Sequence, residues 1–246
     1  MATLSESFVD LATPRGAMRV HLFIPDGGSR YASIIFYSEI FQATGPIRRM
    51  AAALAGEGYL VAVPEVYHEF EPLGSVLAYD AEGSARGNAL KTEKEIASYD
   101  EDTDVLVKFL LTSPSCTGKI ASFGVCLGGH LAVRAGLHPD ISAVGAFYPT
   151  DLHTGNLGLG KCDDTLERLP SSKAPLLFVF GRQDPHIPLE GRRKIRQIVE
   201  DADLDFEWHE FNAAHAFLRD EGVRYNPALA RLAIALLLRF FSEKIG

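Results

Sequence analysis

The hydrophobic positions of the chain fall into short apolar runs that alternate with longer segments of helical spacing. The short runs predict strands, because a strand that is covered on both faces is apolar at almost every position. These predicted strands are Ala32–Tyr37, Leu60–Val63, Lys119–Phe123, Ala143–Tyr148, Leu176–Gly181 and Phe206–Phe211. Met18–Ile24 alternates between outward and inward residues as a strand does, and Ser7–Ala12 could pair with it.

The longer segments repeat their apolar residues every three or four positions, which is typical of helices. They are Gly45–Glu57, Ser98–Thr112, Glu190–Val199 and Pro227–Lys244. Pro64–Lys94 has turn residues and no sustained period, which indicates a long excursion and leaves open whether it forms a lid. Strands separated by helices predict βαβ units. We therefore expect a single α/β domain over residues 1–246, with a mostly parallel central sheet and helices on both faces.

Composition and charge exclude several classes of protein. The 47% hydrophobic and 23% charged residues are typical of a globular chain rather than a disordered or collagen-like one. A net charge of −8 without a basic tract argues against nucleic acid as a partner. No run approaches the roughly 18 apolar residues of a membrane span, and no signal-peptide core is visible. We expect a cytoplasmic protein with no membrane contact, whose oligomeric state the sequence does not indicate.

Cys126 has the setting of a catalytic nucleophile. The segment Gly124–Gly128 (GVCLG) follows a predicted strand and opens a helix, which is the nucleophile-elbow pattern with Cys in place of Ser. The helix dipole at that position favours a thiolate, and the free N–H of Leu127 could stabilise an oxyanion. The alternative is a buried structural cysteine. Cys116 and Cys162 lack such a setting, and the odd cysteine count without a CxxC pair argues against a disulfide framework or a zinc ribbon.

A candidate acid and a candidate base follow two later strands. Asp184 lies just after Leu176–Gly181, and His215 lies just after Phe206–Phe211. Open α/β sheets carry their sites at this end of the strands, and the order Cys126, Asp184, His215 is the nucleophile–acid–base order of α/β-hydrolases. We expect His215 to accept the thiol proton and return it to the leaving oxygen. Asp184 would fix the imidazole tautomer and stabilise the imidazolium.

These segments resemble the dienelactone hydrolase family of the α/β-hydrolase superfamily, and the resemblance covers nearly the whole chain. Its specific features are FGVCLGG, GRQDPHIP, AAHAFLR and the glutamate of YSEIFQATG, which is Glu39. The resemblance implies an α/β-hydrolase fold. In the family this glutamate contacts the resting thiol and moves when an anionic substrate binds, and the next backbone N–H completes the oxyanion hole, which maps onto Glu39 and Ile40. A carboxylate beside a thiol raises the thiol pKa, so the resting enzyme would be unreactive.

The resemblance also implies how a substrate carboxylate would be bound. One family arginine lies four residues after the catalytic histidine, which is Arg219 here, and an arginine can hold a carboxylate through two parallel hydrogen bonds. The nearest match to the second arginine is Arg86, although Leu90 stands where the family has a tyrosine. Tyr148 could line the pocket at the end of its strand.

The leading hypothesis is a hydrolase that opens a small lactone or ester through a thioester on Cys126. The type substrate that the family implies is dienelactone, 4-carboxymethylenebut-2-en-4-olide, which yields maleylacetate. A thiolate, a base and an oxyanion hole suffice for this reaction, so we expect no cofactor and no metal. One alternative is a carboxylesterase or thioesterase acting on another small acyl compound. A second, from a different class, is a non-catalytic α/β-hydrolase that binds a small molecule.

Overall fold

The computed structural model describes residues 4–246, whose strands form one eight-stranded sheet in the order β1-β2-β4-β3-β5-β6-β7-β8. The strands are β1 (Leu4–Thr13), β2 (Gly16–Pro25), β3 (Tyr31–Tyr37), β4 (Leu60–Pro64), β5 (Cys116–Val125), β6 (Ile141–Phe147), β7 (Leu176–Gly181) and β8 (Phe206–Phe211). β2 pairs antiparallel with β1 and β4, and every other pairing is parallel. The predicted α/β class and mostly parallel sheet are confirmed.

Within residues 4–246, seven helices and one short 3-10 turn lie between or after these strands. The helices are α1 (Gly45–Gly56), α2 (Ala81–Glu93), α3 (Ile96–Thr112), α4 (Leu127–Ala135), α5 (Thr165–Arg168), α6 (Leu189–Asp201) and α7 (Pro227–Ile245), and the turn is Leu169–Ser171. Within residues 4–246, none of the helices has both the length and the apolarity needed to cross a membrane.

The helices cover both faces of the sheet, as two neighbouring residues of β6 demonstrate. The side chain of Val144 points at Gly136 at the end of α4, whereas a Cβ on Gly145 would point at Leu237 of α7. Because successive residues of a strand point to opposite faces, α4 and α7 lie on opposite sides of the sheet. The central strands β3, β6 and β7 are buried along almost their whole length, and β5 is buried from Ile120 to Val125. They supply a rigid edge for the loops that follow them.

The excursion Pro64–Lys94 contains a helix that the sequence pattern does not predict. α2 has no apolar stripe, because its buried residues are only Gly83, Gly87 and Leu90. The backbone of α2 instead packs directly against the loop that contains Ile40. A Cβ on Gly87 would lie only 2.5 Å from the carbonyl oxygen of Ile40. At its start the carboxylate of Asp80 accepts the N–H of Gly83 at 2.8 Å, which caps the helix.

Candidate active site

Cys126 lies at the sharp turn between β5 and α4, with φ +60° and ψ −124°. This left-handed backbone conformation is strained for a residue with a Cβ. Glycines on either side permit it: a Cβ on Gly124 would overlap the carbonyl oxygen of Gly128, and one on Gly128 would overlap that of Tyr37. The GVCLG segment therefore folds as the elbow that its sequence predicts, and it presents Cys126 to a cavity.

Asp184 and His215 are brought together by the loops after β7 and β8. Nδ1 of His215 lies 2.6 Å from Oδ2 of Asp184, and both side chains are buried. The other oxygen of Asp184 accepts the backbone N–H of His186 at 2.8 Å, which leaves the carboxylate little freedom to turn. The rings of Tyr148 and His186 pack edge-on against the imidazole, with centroids 5.1 and 4.7 Å away. The imidazole is therefore held on several sides.

The electrostatics of His215 favour its charged form. Burial by itself lowers the pKa of an imidazole, but the charge of Cys126 and the hydrogen-bonded carboxylate of Asp184 raise the pKa of His215 to about 10. A thiolate facing an imidazolium produces this direction of shift. The unfolded value is near 6.5, so the protonated ring contributes stability below that pH. The contribution is lost as the pH rises towards about 10.

The raised pKa of His215 can be measured directly. We expect the ring to titrate near pH 10 in the wild-type protein, and at a clearly lower pH in Cys126→Ala, since that variant lacks the thiolate. Histidine-detected ¹⁵N NMR across a pH series gives both values, with Cys116→Ala as the control for loss of a buried thiol. An unchanged titration in Cys126→Ala would mean that the thiol does not act on the ring.

Thr150 is the direct hydrogen-bond partner of the thiol. Its hydroxyl lies 3.4 Å from Sγ of Cys126, and its N–H donates to the Cys126 carbonyl at 3.1 Å. Nδ1 of His130 donates to the Thr150 carbonyl at 3.0 Å, and Nε2 is bound by Asp163 at 2.9 Å. Among residues 4–246 no hydrogen bond of standard geometry joins His215 to Sγ, but a weak hydrogen bond to Cys126 adds to the charge of Cys126 in raising the pKa of His215.

Glu39 lies in the same cavity but does not bind the thiol. The hydroxyl of Tyr79 donates to Oε2 at 2.9 Å, and a guanidinium nitrogen of Arg219 lies 3.7 Å from Oε1. Burial raises the pKa of Glu39, which Arg219 and Tyr79 partly offset. In the described part of the chain no hydrogen bond links Glu39 to Cys126, so the interaction with the thiol that the resemblance implies is not made through a hydrogen bond in this conformation. The carboxylate of Glu39 is instead bound by the hydroxyl of Tyr79 and paired with Arg219.

The two candidate oxyanion-hole residues lie at the cavity, and the backbone N–H of each is unpaired within residues 4–246. Ile40 and Leu127 both line the cavity beside Cys126. Leu127 is the first residue of α4, where N–H groups lack helical partners. Within residues 4–246, neither N–H donates to another backbone or side-chain acceptor. Both donors are thus available to a ligand, as the oxyanion-hole hypothesis requires.

The cavity has a volume of about 440 Å³ and contains both Cys126 and His215. One of its walls is α2, whose residues Ser84, Asn88 and Lys91 share a helix face at the spacing of one and two turns. The excursion therefore forms part of the site itself. Nζ of Lys91 is paired with Asp151 on the facing loop at 2.5 Å. Among the described residues no group of three or more His, Cys, Asp or Glu side chains is arranged to hold a metal.

The structure places the three predicted substrate-binding residues differently. Arg219 lines the cavity. Arg86 does not: it points away on the other side of α2, where its guanidinium is paired with Glu71 at 2.7 Å. Tyr148 is fully buried behind the imidazole of His215 and does not line the cavity either. For Arg86 and Tyr148 the structure therefore corrects the expectation of substrate contact.

Sequence reasoning missed most of the other residues that line the cavity, among them Tyr79, Thr150, His186 and Arg224. Only His186 carries a sequence signal, since it stands two positions after the candidate acid. The others lie in segments without a periodic pattern. Their place in the site depends on how the excursion and the loops after β6 and β8 fold over the elbow.

Comparisons with known proteins identify the family. A sequence model of the dienelactone hydrolase family matches residues 18–245. A Saccharomyces cerevisiae protein, provisionally named a carboxymethylenebutenolidase, is 37% identical over 98% of this chain and 93% of its own length. A Pseudomonas carboxymethylenebutenolidase is 29% identical over 93% of this chain and 91% of its own.

The solved structures agree on the fold. A Klebsiella pneumoniae protein, provisionally named a dienelactone hydrolase, superposes with a TM-score of 0.80 at 20% identity. The superposition covers 98% of this chain and 99% of that one, which confirms the α/β-hydrolase fold. Because the family match extends from β2 to the end of α7, this chain belongs to the dienelactone hydrolase family.

Proposed function

We propose that this carboxymethylenebutenolidase-like hydrolase opens a small lactone or ester with a triad of Cys126, His215 and Asp184. The observation that carries the proposal is the 2.6 Å hydrogen bond between His215 and Asp184, in a cavity that the elbow cysteine shares. This arrangement supplies a nucleophile, a base and a group that orients the base.

The proposed reaction has two steps. The thiolate of Cys126 attacks the carbonyl carbon, and the N–H groups of Ile40 and Leu127 stabilise the oxyanion. The imidazolium of His215 then gives its proton to the leaving oxygen as the C–O bond breaks, which leaves a thioester. In the second step His215 takes a proton from water, the hydroxide attacks the thioester, and the thiolate leaves. One water is consumed, and no cofactor takes part.

In this mechanism Glu39 and Arg219 would respond to the charge of the substrate. Arg219 lies 3.7 Å from Glu39, so a substrate carboxylate on the arginine competes with that pair. The resemblance to the family implies that Glu39 then moves away from its resting position. Because burial raises the pKa of Glu39 and Arg219 opposes that rise, loss of Arg219 as a partner favours the neutral form of the Glu39 carboxyl group.

A substrate panel tests the proposed function. We expect the purified protein to convert dienelactone to maleylacetate, followed by absorbance, and to hydrolyse carboxylate-bearing esters faster than neutral ones. Arg86 lies outside the cavity, which favours a second candidate function, a carboxylesterase or thioesterase for other small acyl compounds. Turnover of neutral esters or thioesters but not of dienelactone would support that alternative. Absence of turnover on every member would contradict both.

Iodoacetamide labelling tests the assignment of the nucleophile. Cys116 is buried and accepts a hydrogen bond from Ser33, so it should be protected from the reagent. Cys162 is exposed and should be labelled without loss of activity. In a Cys162→Ser background we therefore expect one label per chain, on Cys126, with activity falling in proportion to labelling. Peptide mapping by mass spectrometry locates the label. Activity that survives full modification of Cys126 would remove it as the nucleophile.

A further inference from the structure

The loop between His215 and α7 contributes two cations to the cavity. We call residues 219–226 the rim loop; it lies at the mouth of the cavity, and both Arg219 and Arg224 are among the lining residues. Lys91 of α2 is the third cationic lining residue in the described part of the chain, the two histidines aside. Three acids, Glu39, Asp80 and Asp151, line the same space.

Two of these three cations already have carboxylate partners. Lys91 is paired with Asp151 at 2.5 Å, and Arg219 lies 3.7 Å from Glu39 with its guanidinium 4.2 Å over the ring of Tyr79. A ligand carboxylate at either position competes with a carboxylate of the protein. Because the cavity also holds the charge of Asp80, an anion gains little there unless another cation is available.

Arg224 is the cation without such a competitor. The two acids nearest to it in the rim loop, Asp220 and Glu221, are both bound by Arg49 of α1, each at 2.7 Å. Among residues 4–246 no acid lies within ion-pair distance of Arg224, whose side chain is exposed to solvent at the cavity mouth. The ion pairs with Arg49 thus anchor the rim loop and leave the charge of Arg224 unneutralised.

The charge of Arg224 acts into the cavity. Burial raises the pKa of Glu39, and Arg224 together with Arg219 opposes that rise. Burial and the charge of His215 lower the pKa of His186, and Arg224 lowers it further. The charge of Arg224 therefore acts on two groups that line the cavity, Glu39 and His186.

We propose that Arg224 is the specificity-determining residue that binds the carboxylate of an anionic substrate, with Arg219 as its neighbour on the same loop. This inference rests on the proposed function. It assigns to Arg224 the role in carboxylate binding that the resemblance had suggested for Arg86. A guanidinium can hold a carboxylate through two parallel hydrogen bonds, and here it does so without displacing an acid of the protein. The substrate is thus a lactone or ester whose carboxylate extends from the reacting carbonyl towards the cavity mouth.

Two p-nitrophenyl esters of matched chain length test the proposal, the anionic hemiglutarate and the neutral valerate. The quantity to compare is the ratio of their kcat/KM values. We expect Arg224→Ala to lower this ratio about tenfold, through a higher KM for the hemiglutarate, since charge-assisted hydrogen bonds contribute on that scale. The matched control is Arg86→Ala, which should keep the wild-type ratio because Arg86 lies outside the cavity. Equal ratios for Arg224→Ala and wild type, or a loss in Arg86→Ala instead, would overturn the proposal.

Charge reversal sharpens the kinetic test, and direct binding adds a test that is independent of turnover. Arg224→Glu should lower the ratio further than Arg224→Ala does, and the difference should shrink at high salt because the group is exposed. Calorimetry with glutarate should show weaker binding to Arg224→Ala than to wild type or Arg86→Ala. If the wild type hydrolyses neither these esters nor any member of the substrate panel, the proposed function fails, yet the glutarate titration still decides the role of Arg224: equal affinities would overturn it.

Discussion

Cys126→Ala is expected to lower kcat by a factor of about 10⁴ or more, because removal of a nucleophile leaves only the oxyanion hole and substrate binding to act. The variant should fold, since alanine keeps the Cβ that the elbow already accommodates at φ +60°. KM should change little, because the thiol contributes chemistry rather than affinity. Steady-state kinetics on the best ester of the panel measures both values.

Two controls make this result specific. Cys116→Ala removes the other buried thiol, which lies at the opposite end of β5, and should retain wild-type kcat. Cys126→Ser keeps a nucleophile but exchanges the thiol for a hydroxyl of much higher pKa, so it should fall between the two alanine variants. If Cys126→Ala retained more than a few per cent of the activity, another group would have to perform the attack.

Asp184→Asn is expected to lower kcat by about 10³ to 10⁴. The carboxylate accepts the Nδ1 hydrogen of His215 at 2.6 Å and helps to raise its pKa, and a neutral amide does neither. The ring would then take the wrong tautomer or lose its charge, so that the thiolate lacks its counter-ion. Asp184 does not line the cavity, and KM should therefore stay close to the wild-type value.

The pH dependence separates this effect from a general loss of structure. In Asp184→Asn the NMR titration of His215 should move to lower pH, because one of the groups that raise its pKa is gone. A variant that was merely destabilised would show a lower melting temperature with an unchanged ring titration. An unchanged kcat would show that His215 does not depend on Asp184 for its orientation.

The elbow could be predicted from sequence because its causes are local. The strand, the glycine-flanked cysteine and the helix are neighbours in the sequence. A Cβ at Gly124 or Gly128 would overlap backbone atoms of the turn itself or of the adjacent strand β3, so the need for glycine is local as well. Asp184 and His215 could be predicted for a related reason. Each follows a strand of the parallel sheet, and the register of β7 with β8 brings those strand ends together. Strand order and side-chain type suffice for such a prediction.

α2 and Arg86 could not be predicted in the same way. Helix prediction from periodicity requires an apolar stripe, and α2 packs through glycine backbone instead. Arg86 matched the family by position along the chain, but which side of α2 faces the cavity depends on how that helix lies against Ile40. Arg224 gave no sequence signal at all, since its role depends on Arg49 of a distant helix binding the two neighbouring acids.

The amino-acid sequence alone determined the α/β class, the elbow and the three side chains of the proposed triad, because these depend on local backbone sterics and on strand ends that a parallel sheet must bring together. The tertiary structure decided which charges remain unpaired in the cavity. Glu39 is paired with Arg219 and accepts a hydrogen bond from Tyr79, and Lys91 is paired with Asp151. Arg224 has no acidic partner among residues 4–246. Ion pairing depends on distances between segments far apart in the chain, and only the folded arrangement of the excursion and the rim loop sets those distances.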